Sequence, residues 1–388
     1  MANPAGTYSI LNVRRMIAGP GSIEAVGEVA ADLAARKALI VTDRGVWDAG
    51  LIERPMRILE SSGVRVEVIR DTPPEPEAGH VEGIFGRARE TGCEMVIGIG
   101  GGSAMDVAKI VSVMLTNDLS LRQLLAKAKI GKRGLPTLMV PTTAGTGSEV
   151  TQNAIVLVPE EESKVGIVDA KLVPDCVILD PAMTLGLPPA ITASTGMDAL
   201  THAIECYTSK KANPFSDTYA LKAIGLISGA IRRAFRDGRD MGARHDMLLG
   251  AMYGGLCIAT SSTTAVHALA YPLGGKYRIP HGLSNAILLP HVMKFNLDAA
   301  EGKFRDVAVA MGLDVSGLPA RRAAERMIEN LYSLNEDLEI RCGMKDRGVT
   351  EADLDAMAEA ASKVTRLLDN NPKPMTKSDM REIYRKLL

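Results

Sequence analysis

Several things are scarce in this sequence of 388 residues, and each scarcity removes a possibility. Cysteine comes first: there are five, at Cys93, Cys176, Cys206, Cys257 and Cys342, scattered and with no CxxC pair. That argues against a disulfide framework and a thiolate zinc site, and points to a reducing, cytoplasmic setting. An excess of either charge is also absent, with 45 basic and 46 acidic side chains and a net charge of -1. Such a balance gives no electrostatic reason to expect nucleic acid or an anionic membrane as partner. No apolar run approaches the ~18 residues that span a bilayer. The opening segment, MANPAGTYSILNVRRMIAGPG, lacks the basic start and apolar core of a secretory signal. Aromatic residues are few, with five Phe and one Trp, so 19 Met and many Ala are left to fill the core.

A chain this long exceeds one ordinary core, so two domains are expected. In the first half, apolar runs at Lys37–Thr42, Val64–Ile69, Glu94–Ile99 and Pro136–Val140 alternate with helical patterns near Ser22–Arg36, Trp47–Ser61, Glu77–Thr91 and Ala104–Leu115. Further strands are expected at Ala154–Val158 and Asp175–Leu179. The alternation predicts a parallel sheet covered on both faces. After Leu179-Asp180-Pro181 only helical periods remain, broken by turns expected at Leu273-Gly274-Gly275 and Ile279-Pro280. The reading is an α/β dinucleotide-binding domain over residues 1–184 and an all-helical metal-binding domain over 185–388.

Two loops suit phosphate. Gly98-Ile99-Gly100-Gly101-Gly102-Ser103 follows a strand and opens a helix, where free N–H groups meet anionic oxygens. It is not the Rossmann fingerprint, because Ser103 stands at the third glycine position. Thr142, Thr143 and Thr146 lie in a second polar loop, Pro141 to Glu149, after the next strand. Such a pair fits a pyrophosphate across a doubly wound sheet. Asp43, at the end of Lys37–Thr42, is placed to bind the adenosine ribose and to repel a 2′-phosphate, favouring NAD; the alternative is a plain helix cap.

Only six histidines exist. Asp198 and His202, four apart in GMDALTHAIE, share one helix face. His267 lies in a second helical stretch and His281 opens a third, and their spacing alone says little. Zinc or ferrous iron accepts such a nitrogen-rich set with one carboxylate. His80 and His245 read as surface residues and His291 as structural. Glu205, three residues past His202, reads either as support for the site or as a solvated side chain.

Together GGGSAMDVAK, PTTAGTGSEVT, GMDALTHAIE and HALAYPLGG…PHGLSNAILLPH resemble, in order and over nearly the whole chain, the iron-containing (group III) alcohol dehydrogenases. The resemblance implies a dehydroquinate synthase-like architecture and ligation of Fe²⁺, with Zn²⁺ also acceptable, by Asp198, His202, His267 and His281. It implies NAD contacts around Asp43, Gly100, Gly101, Gly102, Ser103, Thr142, Thr143, Asn153 and Lys164, with Asp106 and Lys109 also at motif positions. The activity implied is hydride transfer between NAD(H) and a small alcohol or aldehyde, in a homo-oligomer such as a dimer. Two departures stand out. Pro74-Glu75-Pro76 replaces a common Asn-Pro, and Tyr271 stands where many members carry histidine. One turn past His267, Tyr271 either takes over proton handling, orients substrate or fills space. The competing reading is a dehydroquinate synthase-like lyase, which needs several basic residues near the metal. Lys276 and Arg278 are the only ones in view there, as candidates for an acidic substrate group or as surface charges.

Overall fold

Four of the apolar runs form one side and the middle of a six-stranded sheet in the computed structural model of the chain, which describes residues 7–159 and 163–388. Of the opening segment read for a signal, residues 1–6 lie outside the described residues. The strands are β1 (Arg15–Ala18), β2 (Lys37–Val41), β3 (Arg65–Ile69), β4 (Met95–Gly100), β5 (Thr137–Pro141) and β8 (Cys176–Leu179), all parallel, in the order β1-β8-β5-β4-β2-β3. Every residue of β4, β5 and β8 is buried, as continuous Val/Ile/Leu/Met runs require. The edge strands β1 and β3 alternate, with one side open. A separate antiparallel hairpin pairs β6 (Asn153–Val158) with β7 (Ser163–Val168).

The strand order reverses between β2 and β4. From β2 the chain moves outward to β3, then returns to place β4 on the other side of β2 and β5 beyond it. The loops after β2, β4 and β5 therefore splay around one crevice at the carboxyl ends of the strands, where ligands bind in open α/β sheets.

Some helical expectations need correction. The stretch Trp47–Ser61 is two helices, Arg44–Asp48 and Glu53–Ser61, parted at Gly50, whose φ of +71° leaves the helical region. Ser22–Arg36 is a 3-10 turn over Ser22–Ala25 followed by a helix over Val26–Asp32. Leu273-Gly274-Gly275 is not a turn but the interior of helix Ala265–Tyr277. Burial of Leu269, Leu273 and Gly274 carries that helix through Pro272, against local propensity. The chain breaks instead at Arg278, whose φ is +53°.

The chain divides into two compact units, Leu11–Leu185 and Gly186–Leu388, and residues 7–10 group with the second. The second holds helices Pro189–Thr208, Pro214–Arg236, Met241–Thr260, Ala265–Tyr277, His281–Ala310 and Ala320–Asp337, then shorter ones including Thr365–Leu368 and Lys377–Arg385. Its helices begin on side-chain caps where the sequence supplies them: Asn213 accepts from the Ser216 N–H at 3.0 Å and Asp240 from the Ala243 N–H at 2.9 Å.

Candidate metal centre and cofactor loops

Helix Pro189–Thr208 carries Asp198 and His202 on one face, helix Ala265–Tyr277 carries His267 in its first turn, and His281 opens helix His281–Ala310. The four offer one ligand atom each, and these atoms all lie within 4.8 Å of one another. From Asp198 Oδ1 the distances are 3.7 Å to His202 Nε2, 3.8 Å to His267 Nε2 and 3.8 Å to His281 Nε2. These separations are too long for hydrogen bonds. They are of the order of the edges of a ligand shell built on ~2.1 Å bonds. Asp198, His202 and His267 are buried and His281 is half-buried. Converging imidazole nitrogens and a carboxylate in a dry site need a cation among them, so this donor set fits Fe²⁺ or Zn²⁺. Burial pushes the Asp198 carboxyl up, but the three imidazoles and Asn285 outweigh it and hold it below the usual range.

A tight packing contact brings His281 to the cluster. A methyl group at Gly282 would lie 2.3 Å from the Ser194 carbonyl oxygen and 3.2 Å from Asp198 Cβ. Only glycine lets the two helices approach this closely. One turn on, Asn285 Nδ2 donates to Asp198 Oδ1 at 2.6 Å and lies 3.1 Å and 3.2 Å from His267 Nε2 and His281 Nε2.

Glu205 is fully buried and is not a solvated side chain. It accepts from the Thr264 N–H at 3.0 Å, the Thr264 hydroxyl at 2.7 Å and the Val266 N–H at 2.6 Å, so it caps helix Ala265–Tyr277 from outside. It also lies 2.5 Å from His267 Nδ1. Burial pushes this carboxyl up, yet His267 and Thr264 bring it below its ordinary value. An ionised carboxylate only accepts, so Nδ1 carries the proton and the Nε2 lone pair faces the cluster. Changing Glu205 to Gln should weaken metal binding about 10- to 100-fold, the usual cost of losing such a partner. Metal titration of the stripped protein checks this, and unchanged affinity would remove Glu205 from the site.

Tyr271 follows His267 by one turn, with its ring centre 6.4 Å from that of His281. Burial pushes its phenol up, and the Arg366 guanidinium pulls it part of the way back. Lys276 is on the surface, 2.8 Å from Asp353 Oδ1 and 45% exposed, which removes one of the two basic residues the lyase reading relies on. His80, His245 and His291 stay outside the cluster. His291 meets the Tyr332 hydroxyl at 3.3 Å, and burial lowers it to about 4.

In the other unit, the phosphate-type loops converge. Asp43 caps helix Arg44–Asp48, with Oδ1 accepting from the Val46 N–H at 3.0 Å. Its other oxygen faces Gly100, where an added Cβ would sit 3.1 Å away. A Cβ at Gly102 would meet Thr146 at 2.7 Å, and one at Gly101 would meet Thr143 at 3.6 Å. The Thr142 N–H donates to the Gly100 carbonyl at 2.9 Å. The glycine loop thus lies between Asp43 and the threonines, at the start of the 13-residue helix Gly102–Met114. Its close approaches and free N–H groups fit a dinucleotide pyrophosphate. The Ser103 hydroxyl donates to the Pro74 carbonyl, and Lys164 on β7 pairs with Glu75 at 2.7 Å.

Asp106 and Lys109 turn inward. Asp106 accepts from the Ser148 hydroxyl and, at 2.9 Å, from the Ile155 N–H. Lys109, buried, donates to the carbonyls of Ser148 at 2.9 Å and of Asn153, and lies 3.3 Å from Asp106. The pair ties the glycine-loop helix to the threonine loop and β6. Burial raises Glu149, in the same network, to about 7.

Known proteins share both halves. Residues 13–181 match the iron-containing alcohol dehydrogenases, and residues 192–388 match the C-terminal part of the Fe-containing alcohol dehydrogenase family. The 1,3-propanediol dehydrogenase of Klebsiella pneumoniae is 37% identical over 369 residues, 95% of each chain. A crystal structure of 1,3-propanediol oxidoreductase superposes with a TM-score of 0.94 at 35% identity, covering 99% of this chain and 100% of that one. Sulfoacetaldehyde reductase from Bifidobacterium kashiwanohense, solved in complex with NAD⁺, superposes with a TM-score of 0.88 at 28% identity, covering 99% of each.

Proposed function

Because the chain belongs to the iron-containing alcohol dehydrogenase family, we propose that this metal-dependent oxidoreductase moves hydride between NAD(H) and a short polar alcohol or aldehyde. The observation that carries the reading is the convergence of Asp198, His202, His267 and His281 within one buried cluster. When bound, a divalent ion there supplies Lewis acidity toward the substrate oxygen, and the nicotinamide supplies the hydride chemistry. The family favours Fe²⁺ as the resident ion, and the donor set also accepts Zn²⁺.

The chain's own residues supply position. Asp198 and the imidazoles hold the ion, Glu205 fixes the tautomer of His267, and Asn285 steadies the carboxylate. Asp43, Gly100–Ser103, Thr142, Thr143, Thr146, Asn153 and Lys164 form the cofactor cradle, which Asp106 and Lys109 brace from within. Among them, the Asp43 carboxylate favours NAD over NADP by repelling a 2′-phosphate. Tyr271, its ring centre 6.4 Å from that of His281, delivers or removes the hydroxyl proton.

A reducing cytoplasm and a homo-oligomer complete the reading. In support, no cysteine is paired and no described helix is long and apolar enough to cross a membrane.

The test is loss of NADH absorbance with a panel of short aldehydes, before and after chelation. Turnover should vanish with the metal and return with Fe²⁺. Undiminished turnover in the chelated protein, or none across the panel, would overturn the reading.

A further inference from the structure

Hydride transfer leaves Pro74-Glu75-Pro76, where the chain departs from many members of its family, without a role. The segment bridges two parts of the cofactor cradle. The Pro74 carbonyl accepts from the Ser103 hydroxyl at the glycine loop, and the Pro76 carbonyl accepts from the Leu157 N–H on β6 at 2.9 Å. Leu157 is the register partner of Lys164 on β7. Glu75, between the two prolines, meets the Lys164 ammonium at 2.7 Å. Proline fixes its own φ and biases the residue before it to extended backbone, so Glu75 is offered from a stiff support.

The Glu75–Lys164 pair is enclosed, with side chains 28% and 10% exposed, which sets it apart from an ordinary surface ion pair. It also engages the cation that an anionic ligand would meet. Of the two lysines of the cradle, Lys109 is buried and gives its N–H groups to the carbonyls of Ser148, Thr151 and Asn153. Lys164 is the other, and Glu75 holds it. Asp43, Glu75 and Asp106 against Lys109 and Lys164 leave these five residues a formal charge of -1. A dinucleotide brings an anionic pyrophosphate to this place. The glycine-loop N–H groups and the threonine hydroxyls attract it. A carboxylate that occupies the lysine and repels the anion works against them.

Resting on the reading of this unit as an NAD(H) cradle, we infer that Glu75 competes with the bound dinucleotide for the Lys164 ammonium, and so loosens cofactor binding and speeds cofactor release. The ammonium has to be shared when the dinucleotide enters, and Glu75 takes it back when the dinucleotide leaves. Release steps limit turnover in many enzymes, so a competitor of this kind acts on kcat as well as on affinity.

The experiment is NADH fluorescence titration of the metal-loaded full chain. Glu75→Gln keeps the shape of the side chain and removes its charge. It should bind NADH about 3- to 10-fold more tightly than wild type, the range of one partly enclosed charge pair. The shorter amide, Glu75→Asn, should repeat the gain. In stopped-flow displacement NADH should leave both variants more slowly by a similar factor. Lys164→Met should bind NADH more weakly than wild type. Adding Glu75→Gln to Lys164→Met should gain about 2-fold or less, because the competitor has lost what it competes for. Unchanged or weaker NADH binding by both amide variants overturns the inference, and so does a full gain in the Lys164→Met background. Unweakened binding by Lys164→Met removes Lys164 from the cradle and the inference with it. Failure of wild type to bind NADH overturns the cradle reading itself.

Discussion

Asp198→Ala and His202→Ala should each lose bound metal and turnover together. Asp198 is the hub of the cluster, equidistant within 0.1 Å from the three imidazole nitrogens at 3.7, 3.8 and 3.8 Å. Removing it takes away the only negative charge among four ligands and leaves Asn285 Nδ2 without its closest acceptor. His202 stacks on His267 with ring centres 4.7 Å apart, so its loss also opens space beside a second ligand. Lewis-acid assistance contributes several kcal/mol, so turnover should drop by roughly 10³-fold or more. Elemental analysis and the NADH assay on the same preparation check the pairing of the two losses. Full activity in a metal-free variant would mean that the cluster is not where the chemistry happens.

Gly282→Ala should be nearly as damaging without touching a ligand. The new methyl group meets the Ser194 carbonyl oxygen at 2.3 Å, which is backbone and cannot swing aside. The first turn of helix His281–Ala310 must retreat, and His281 retreats with it. Overpacking of this kind costs about 1–3 kcal/mol in stability. Metal affinity should fall by about 10- to 100-fold, as it does when ligand orientation is lost. Gly302→Ala is the control. It lies past the kink at Ala300, exposed, with nothing within 4 Å of the added carbon, and should be neutral or mildly stabilising. Thermal melts and metal titration of both variants give the comparison. Equal behaviour would show that the close approach at Gly282 does not position His281.

Much of this was legible before any coordinates. β2, β4, β5 and β8 are buried on both faces, so their runs are uniformly apolar, and their bounds fall within one residue of expectation. Edge strand β1 was not legible, because RMIA is short and only half its residues turn inward. β7 escaped for a related reason: it belongs to a hairpin outside the main sheet. Asp198 and His202 could be paired from helical spacing, whereas His267 and His281 needed the family's order of segments. Glu205 remained ambiguous in sequence because its partners, Thr264 and His267, lie on another helix. Pro272 and the two glycines after it misled in the opposite direction, since burial overrode the breaker residues.

Asp43 holds the Val46 N–H with one oxygen and turns the other toward the glycine loop. If Asp43 binds the cofactor as proposed, a single side chain answers to two selective pressures, one on local folding and one on the choice of dinucleotide. A lineage drifting toward a phosphorylated cofactor cannot simply delete it, because Ala or Val would uncap the helix. Ser, Thr or Asn keep an acceptor for Val46 while giving up the charge, so they are the passable routes. The cap narrows the evolutionary paths open to this pocket to a handful of residue types.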